Sequence, residues 1–155
     1  MRKFKVYTVS ILISLAVGIL SALATMENMD IYATINTPFL APPAILFPIV
    51  WTVLYILMGV SAALIYLSSS MTSNKTKALF TYAVSLFVNF FWSIFFFNMQ
   101  AFLLSFIWLL LLLGLIIFTI IDYYPINKAA AFLQIPYLIW VTFAGYLNLA
   151  IVILN

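Results

Sequence analysis

Ala101–Ile121, AFLLSFIWLLLLLGLIIFTII, carries no charged side chain and no proline. An uninterrupted apolar stretch of roughly 20 residues is what a helix needs to cross the hydrocarbon core of a bilayer. Lipid offers no partner to a backbone N–H or C=O, so a spanning segment is either a helix or a strand of a closed barrel. Barrel strands are short and alternate polar with apolar residues. The run Leu109–Leu113 does the opposite, and the segment reads as a transmembrane helix.

Four further stretches have the same character: 6–25, 44–67, 78–97 and 129–153. The expected architecture is an all-α integral membrane protein, a five-transmembrane-helix bundle forming a single domain over 1–155. Composition agrees, because the chain is 68% hydrophobic and 6% charged with a mean hydropathy of +1.27. Charged residues make up about a quarter of ordinary soluble domains, so this chain lacks the polar material to face water.

The first stretch has two leader-like features, the basic start Arg2-Lys3-Phe4-Lys5 and the small-residue site Ala22-Leu23-Ala24. It is longer than the roughly 7–15-residue apolar core of a signal peptide. Ser14, Gly18 and Ala22 recur every fourth residue, a small-residue face suited to close helix packing. The segment is therefore expected to stay as the first helix.

Orientation follows from the connections. Arg2, Lys3 and Lys5 precede the first helix, Lys75 and Lys77 fall between the second and third, and Lys128 lies between the fourth and fifth. Glu27 and Asp30 fall on the other side. The positive-inside rule puts the N-terminus in the cytoplasm and the C-terminus outside. The expected location is the plasma membrane of a prokaryote. The outer loop 26–43 holds Pro38, Pro42 and Pro43 and reads as extended and turn-rich rather than helical. A lid over the bundle and a solvated connector satisfy its composition equally. Five helices do not divide into the equal inverted halves of many secondary transporters.

Several chemistries are excluded. No basic run is interleaved with aromatics on a soluble face, so nucleic acid is not an expected partner. Without Cys or His there is no thiolate, imidazole base, disulfide or usual zinc or haem ligand. Asp122 closes the fourth helix at its cytoplasmic end, and no two carboxylates can pair within a span. No catalytic residue, metal site or covalent cofactor is expected, which leaves Trp and Tyr as the redox-capable side chains.

Polar and aromatic residues inside the spans form three stripes. Thr81, Ser85, Asn89 and Ser93 recur every fourth residue in the third helix, with Trp92 beside their outer end. Phe47, Trp51 and Tyr55 do so in the second, and Pro136, Trp140, Ala144 and Asn148 in the fifth. Interhelical packing accounts for such stripes, and an interfacial aromatic belt accounts for some tryptophans. Trp51 lies two turns into its span and Trp140 nearer the middle of its own, so a belt alone does not explain both. Converging under the outer loop, the stripes would make a mostly apolar pocket with few polar anchors, suited to a flat aromatic ligand.

These residues also resemble a known family. Pro38-Phe39-Leu40-Ala41-Pro42-Pro43, followed by Phe47-Pro48-Ile49-Val50-Trp51-Thr52-Val53-Leu54-Tyr55 and Met58-Gly59, is similar to the signature P-x-x-x-P-P…F-x-x-V-W-T-x-L-Y-x-x-M-G of the translocator and tryptophan-rich sensory proteins (TspO/MBR). Asn89-Phe90-Phe91-Trp92-Ser93 resembles the family's N-x-x-W-S, and Pro136-Tyr137-Leu138-Ile139-Trp140-Val141-Thr142-Phe143-Ala144 with Leu147-Asn148 resembles P-Y-x-x-W-x-x-F-A-x-x-L-N. The resemblance implies a five-helix bundle, commonly a homodimer, with a pocket near the outer ends that binds porphyrins and benzodiazepine-type ligands. Carried over by position, that pocket uses Tyr32, Pro42, Trp51, Asn89, Trp92, Trp140, Phe143, Ala144 and Leu147; the aromatic stripe adds Phe47 and Tyr55. The first loop departs from the family's W-Y-x-x-L-x-K-P-x-W, with Ile31, Thr37 and Leu40 in place of two Trp and the Lys, and Trp108 stands where an acid is common. Nothing basic follows Tyr146, so the cholesterol pattern of animal members is absent.

The resulting expectation is a membrane protein, in contact with the lipid bilayer, that binds a tetrapyrrole or a similar flat hydrophobic molecule and senses or handles it. Photo-oxidative breakdown of a bound porphyrin and transport of a hydrophobic small molecule remain as alternatives.

Overall fold

The computed structural model describes all 155 residues and contains no strand. Its helices are α1 (Arg2–Thr25), α2 (Ile31–Thr34), α3 (Leu46–Tyr66), α4 (Thr72–Ser93), α5 (Phe102–Tyr123), α6 (Lys128–Leu133) and α7 (Ile135–Leu154). A 3-10 turn, Met26–Asn28, prolongs α1, and a π turn, Ile94–Asn98, prolongs α4. With α6 and α7 running on from one another, five helical segments are long and apolar enough to cross a membrane. Successive spans reverse direction, so all six basic residues and Asp122 collect at one end of the bundle, the basic end. The first loop and the C-terminus lie at the other, the loop end.

The helices pack α1 on α3 and α4, α4 on α5, α5 on α7 and α3 on α6. Small residues let α1 and α3 approach to backbone contact, as expected where no hydrophobic force drives helices together in lipid. Ser10 Oγ donates to the Gly59 carbonyl at 2.7 Å, and Ser14 Oγ donates to that of Tyr55 at 2.6 Å. A Cβ on Gly59 would sit 2.5 Å from Ile11 Cα, so the position admits only glycine without movement. The central core is apolar: Met58, Ile65, Leu112, Ile116 and Val141 are all fully buried.

The first helix begins at Arg2 rather than residue 6, and three larger differences from the sequence reading follow. The third helix starts at Thr72 rather than residue 78, because a helix leaving the hydrocarbon no longer needs apolar residues. Lys75 and Lys77 therefore ride on its first turns, and Lys75 Nζ closes the preceding bend by donating to the Ser68 carbonyl at 2.9 Å. The fifth span is not continuous but breaks at Gln134. Pro136 has no N–H for the carbonyl of Phe132, and its ring crowds the preceding turn. The buried Gln134 side chain fills the break, Nε2 donating to Ser61 Oγ (3.2 Å), which donates on to the Ala130 carbonyl (2.7 Å).

The first loop is the third difference. Its proline-free half forms the 3-10 turn and the single-turn helix α2, and only the proline-bearing remainder up to α3 is irregular. It is tied down at several points. Asn28 Nδ2 donates to Asn98 Oδ1 (2.8 Å), Asn98 Nδ2 to the Ala24 carbonyl (2.9 Å), and Tyr146 OH to the Phe39 carbonyl (2.6 Å). Asn36 and Asn155 form a two-bond clasp, with the Asn36 N–H on Asn155 Oδ1 (3.1 Å) and Asn155 Nδ2 on the Asn36 carbonyl (3.0 Å). The loop is thus a cover fastened to the C-terminal helix.

Candidate functional site

Beneath this cover lies a cavity of about 350 Å³. Helix α3 supplies one wall, since residues four apart share a face and Phe47, Trp51 and Tyr55 fall in register. Trp140, Ala144, Leu147 and Asn148 come from α7, Asn89 and Trp92 from α4, and Tyr32 from the cover. No charged side chain lines the space.

The aromatic walls are mutually supported. The Tyr32 ring meets Phe47 edge-on at 5.2 Å, and Phe47 meets Trp140 edge-on at 5.8 Å. Trp51 stacks on Tyr55 at 5.6 Å and touches Tyr137 edge-on at 6.2 Å. Both tyrosines are held by buried Asn89: Tyr55 OH donates to its Oδ1 (3.2 Å), and its Nδ2 donates to Tyr137 OH (2.9 Å). Trp92 Nε1 donates to Asn148 Oδ1 at 3.0 Å, which also accepts from Ser105 Oγ at 3.1 Å. Asn148 Nδ2 in turn donates to the Phe102 carbonyl at 3.0 Å. These networks fix the side chains before any ligand arrives.

Among the lining residues one buried polar atom is left without a partner. The indole N–H of Trp140 is buried with no hydrogen-bond partner. A buried donor of this kind costs about 1–3 kcal/mol relative to a satisfied one.

Of the residues singled out from sequence, Tyr32, Phe47, Trp51, Tyr55, Asn89, Trp92, Trp140, Ala144 and Leu147 line the cavity. Pro42 and Phe143 stand one layer back. The Pro42 carbonyl accepts from Tyr32 OH at 2.9 Å, and Phe143 backs the Trp140 ring at 5.6 Å. Burial pushes the Tyr32 phenol above its ordinary pKa of 10.0, which keeps it protonated as that donor. The polar stripe of the third helix divides. Thr81 reaches Asp122 (3.2 Å) beside the Lys77–Asp122 ion pair (3.7 Å), and Ser85 bonds back to the Tyr82 carbonyl, whereas Asn89 and Ser93 reach the cavity. Trp108 stays outside, its Nε1 donating to the Val88 carbonyl at 2.7 Å.

Sequence reasoning missed the wall made by α1, where Leu15, Gly18, Ile19 and Ala22 face the space. The small-residue spacing pointed to that face but reads the same for a packed helix as for a cavity wall. Gly18 serves both, since a Cβ there would lie 2.5 Å from the Tyr55 ring. Phe96 and Phe97 enter from the π turn, which no periodicity foretells.

The TspO/MBR family model matches residues 10–154. This chain belongs to the TspO/MBR family. It is 37% identical over 147 residues to the tryptophan-rich protein TspO of Archaeoglobus fulgidus, covering 94% of each chain. It is 36% identical over 142 residues to that of Chlorobaculum tepidum, covering 91% of this chain and 90% of the relative. Similarity extends to the dog translocator protein 2, at 35% over 127 residues, 80% of this chain and 74% of that one. Relatives from bacteria and archaea and five apolar helices together describe a multi-pass membrane protein. In this family member the loop substitutions Ile31, Thr37 and Leu40 all lie off the cavity lining.

Proposed function

We propose that this TspO/MBR protein binds a flat, largely apolar small molecule, a tetrapyrrole or a comparable aromatic compound, and senses or handles it in the plasma membrane of a prokaryote. The basic end faces the cytoplasm, and two copies associate as a homodimer. The observation that carries the reading is the convergence of the Phe47, Trp51, Tyr55 and Trp140 rings on one largely apolar space that no charged side chain lines. Burying an apolar ring system contributes about 25 cal/mol per Å², and stacking on Trp51 and Trp140 sets the plane of the ring. With no cation among the lining residues, carboxylates of a porphyrin have to lie toward the mouth and solvent, and neutral acceptors suit the interior better.

Titration of the purified protein with protoporphyrin, followed by tryptophan fluorescence, tests this. Saturable quenching is expected, and the Trp51→Ala, Trp140→Ala double variant should weaken it at least tenfold, about 1.4 kcal/mol. Unchanged affinity in that variant would remove the cavity from the binding event.

A further inference from the structure

A second concavity, of about 570 Å³, opens at the basic end between α1, α3 and α4. Its floor and sides are apolar, with Val9 and Ile13 on α1 and Ala62, Ala83 and Leu86 opposite. Arg2 and Lys5 stand at its mouth, both exposed and neither in an ion pair with any acid. The acids are elsewhere: Glu27 and Asp30 at the loop end, Asp122 on Lys77. A third cation, Lys75, lies 5.7 Å over the ring of Tyr66, another lining residue. Of the wall hydroxyls, Ser10 is committed to the Gly59 carbonyl.

We propose that this groove is a binding site for an anionic phospholipid of the leaflet around the basic end. One acyl chain lies along α1, and the phosphate sits between Arg2 and Lys5. Three features favour this occupant. From Arg2 to Ile13 the helix rises about 16 Å, which is close to the depth of one leaflet, roughly half of a 30 Å hydrocarbon core. The polarity runs the right way, with cations at the surface and an apolar slot beneath, as basic pockets between transmembrane helices hold acidic head groups. Arg2 and Lys5 have no ion-pair partner within the chain, whereas Lys75 is held by the Ser68 carbonyl and the Tyr66 ring, so Arg2 and Lys5 are free to meet a phosphate.

The test uses the purified protein in nanodiscs of phosphatidylcholine with added phosphatidylglycerol, with bound lipid counted by native mass spectrometry and melting followed in parallel. The wild type is expected to retain phosphatidylglycerol over phosphatidylcholine and to melt higher with it. The Arg2→Gln, Lys5→Gln double variant should lose roughly thirtyfold of that preference while melting normally in pure phosphatidylcholine. The Lys3→Gln, Lys128→Gln variant removes the same charge from the same end outside the groove and should keep it. Ala83→Phe, which fills the slot and spares both cations, should lower retention. Equal retention of both lipids by the wild type would overturn the proposal. So would equal losses in the two charge variants, retention unaffected by Ala83→Phe, or full stabilisation by inorganic phosphate alone.

Discussion

Replacing Asn89 with Leu removes the amide that joins α3, α4 and α7 while nearly preserving volume. Two bonds are lost, Tyr55 OH to Oδ1 at 3.2 Å and Nδ2 to Tyr137 OH at 2.9 Å, and two buried hydroxyls are left without their partner. Interhelical hydrogen bonds in a bilayer average about 0.6 kcal/mol and reach about 1.7, so the pair should contribute about 1–3 kcal/mol. For a chain of this size that corresponds to a fall in Tm of roughly 3–10 °C, measured by thermal unfolding in one detergent. Trp51 rests on both tyrosine rings, so protoporphyrin affinity should fall with stability, by about tenfold or 1.4 kcal/mol. The triple variant Asn89→Leu, Tyr55→Phe, Tyr137→Phe should recover at least half of the lost Tm, because removing both partners of a hydrogen bond costs less than removing one. A single variant melting with the wild type, or a triple variant no better than the single, would refute Asn89 as the keystone of the wall.

Gly59→Ala should destabilise by about 1–3 kcal/mol through overpacking against the α1 backbone, whereas Gly114→Ala, with nothing within 4 Å of its new methyl, should melt no lower than the wild type. Gly18→Ala should push the Tyr55 ring into the cavity and weaken protoporphyrin binding in the same fluorescence titration. Asn155→Ala opens the clasp to Asn36, and stopped-flow release of a bound ligand should quicken about threefold to tenfold, as for the loss of roughly 1 kcal/mol of hydrogen bonding. The Tyr32 phenol has its pKa raised by burial, so its contribution to loop closure is complete below pH 10.0 and declines as pH rises through the higher folded value. Protection of the amides in residues 29–43, taken relative to their intrinsic base-catalysed exchange, should therefore fall above pH 10.0 in the wild type, while Tyr32→Phe should be poorly protected at every pH.

Hydropathy alone specified five crossings and their helical nature, because a bilayer leaves the backbone no other way to satisfy its polar groups. The stripes on α3 and α7 were equally legible, since a period near four residues dictates which side chains share a face. Where those faces point is another matter. Nothing in the spacing of Trp51 and Trp140 distinguishes a ring turned to lipid from a ring turned to a cavity; the packing of α1, α3, α4 and α7 puts both on the cavity. Nor does the spacing tell Asn89, which bridges two tyrosines, from Thr81, which turns to Asp122 on the same stripe. The break at Gln134, the π turn bearing Phe96 and the fastening of the loop through Asn36 and Asn155 depend on partners distant in sequence. Local periodicity constrains an element and its amphipathic direction; the pairing of polar atoms across helices is settled when the bundle closes, and that closure defines the cavity.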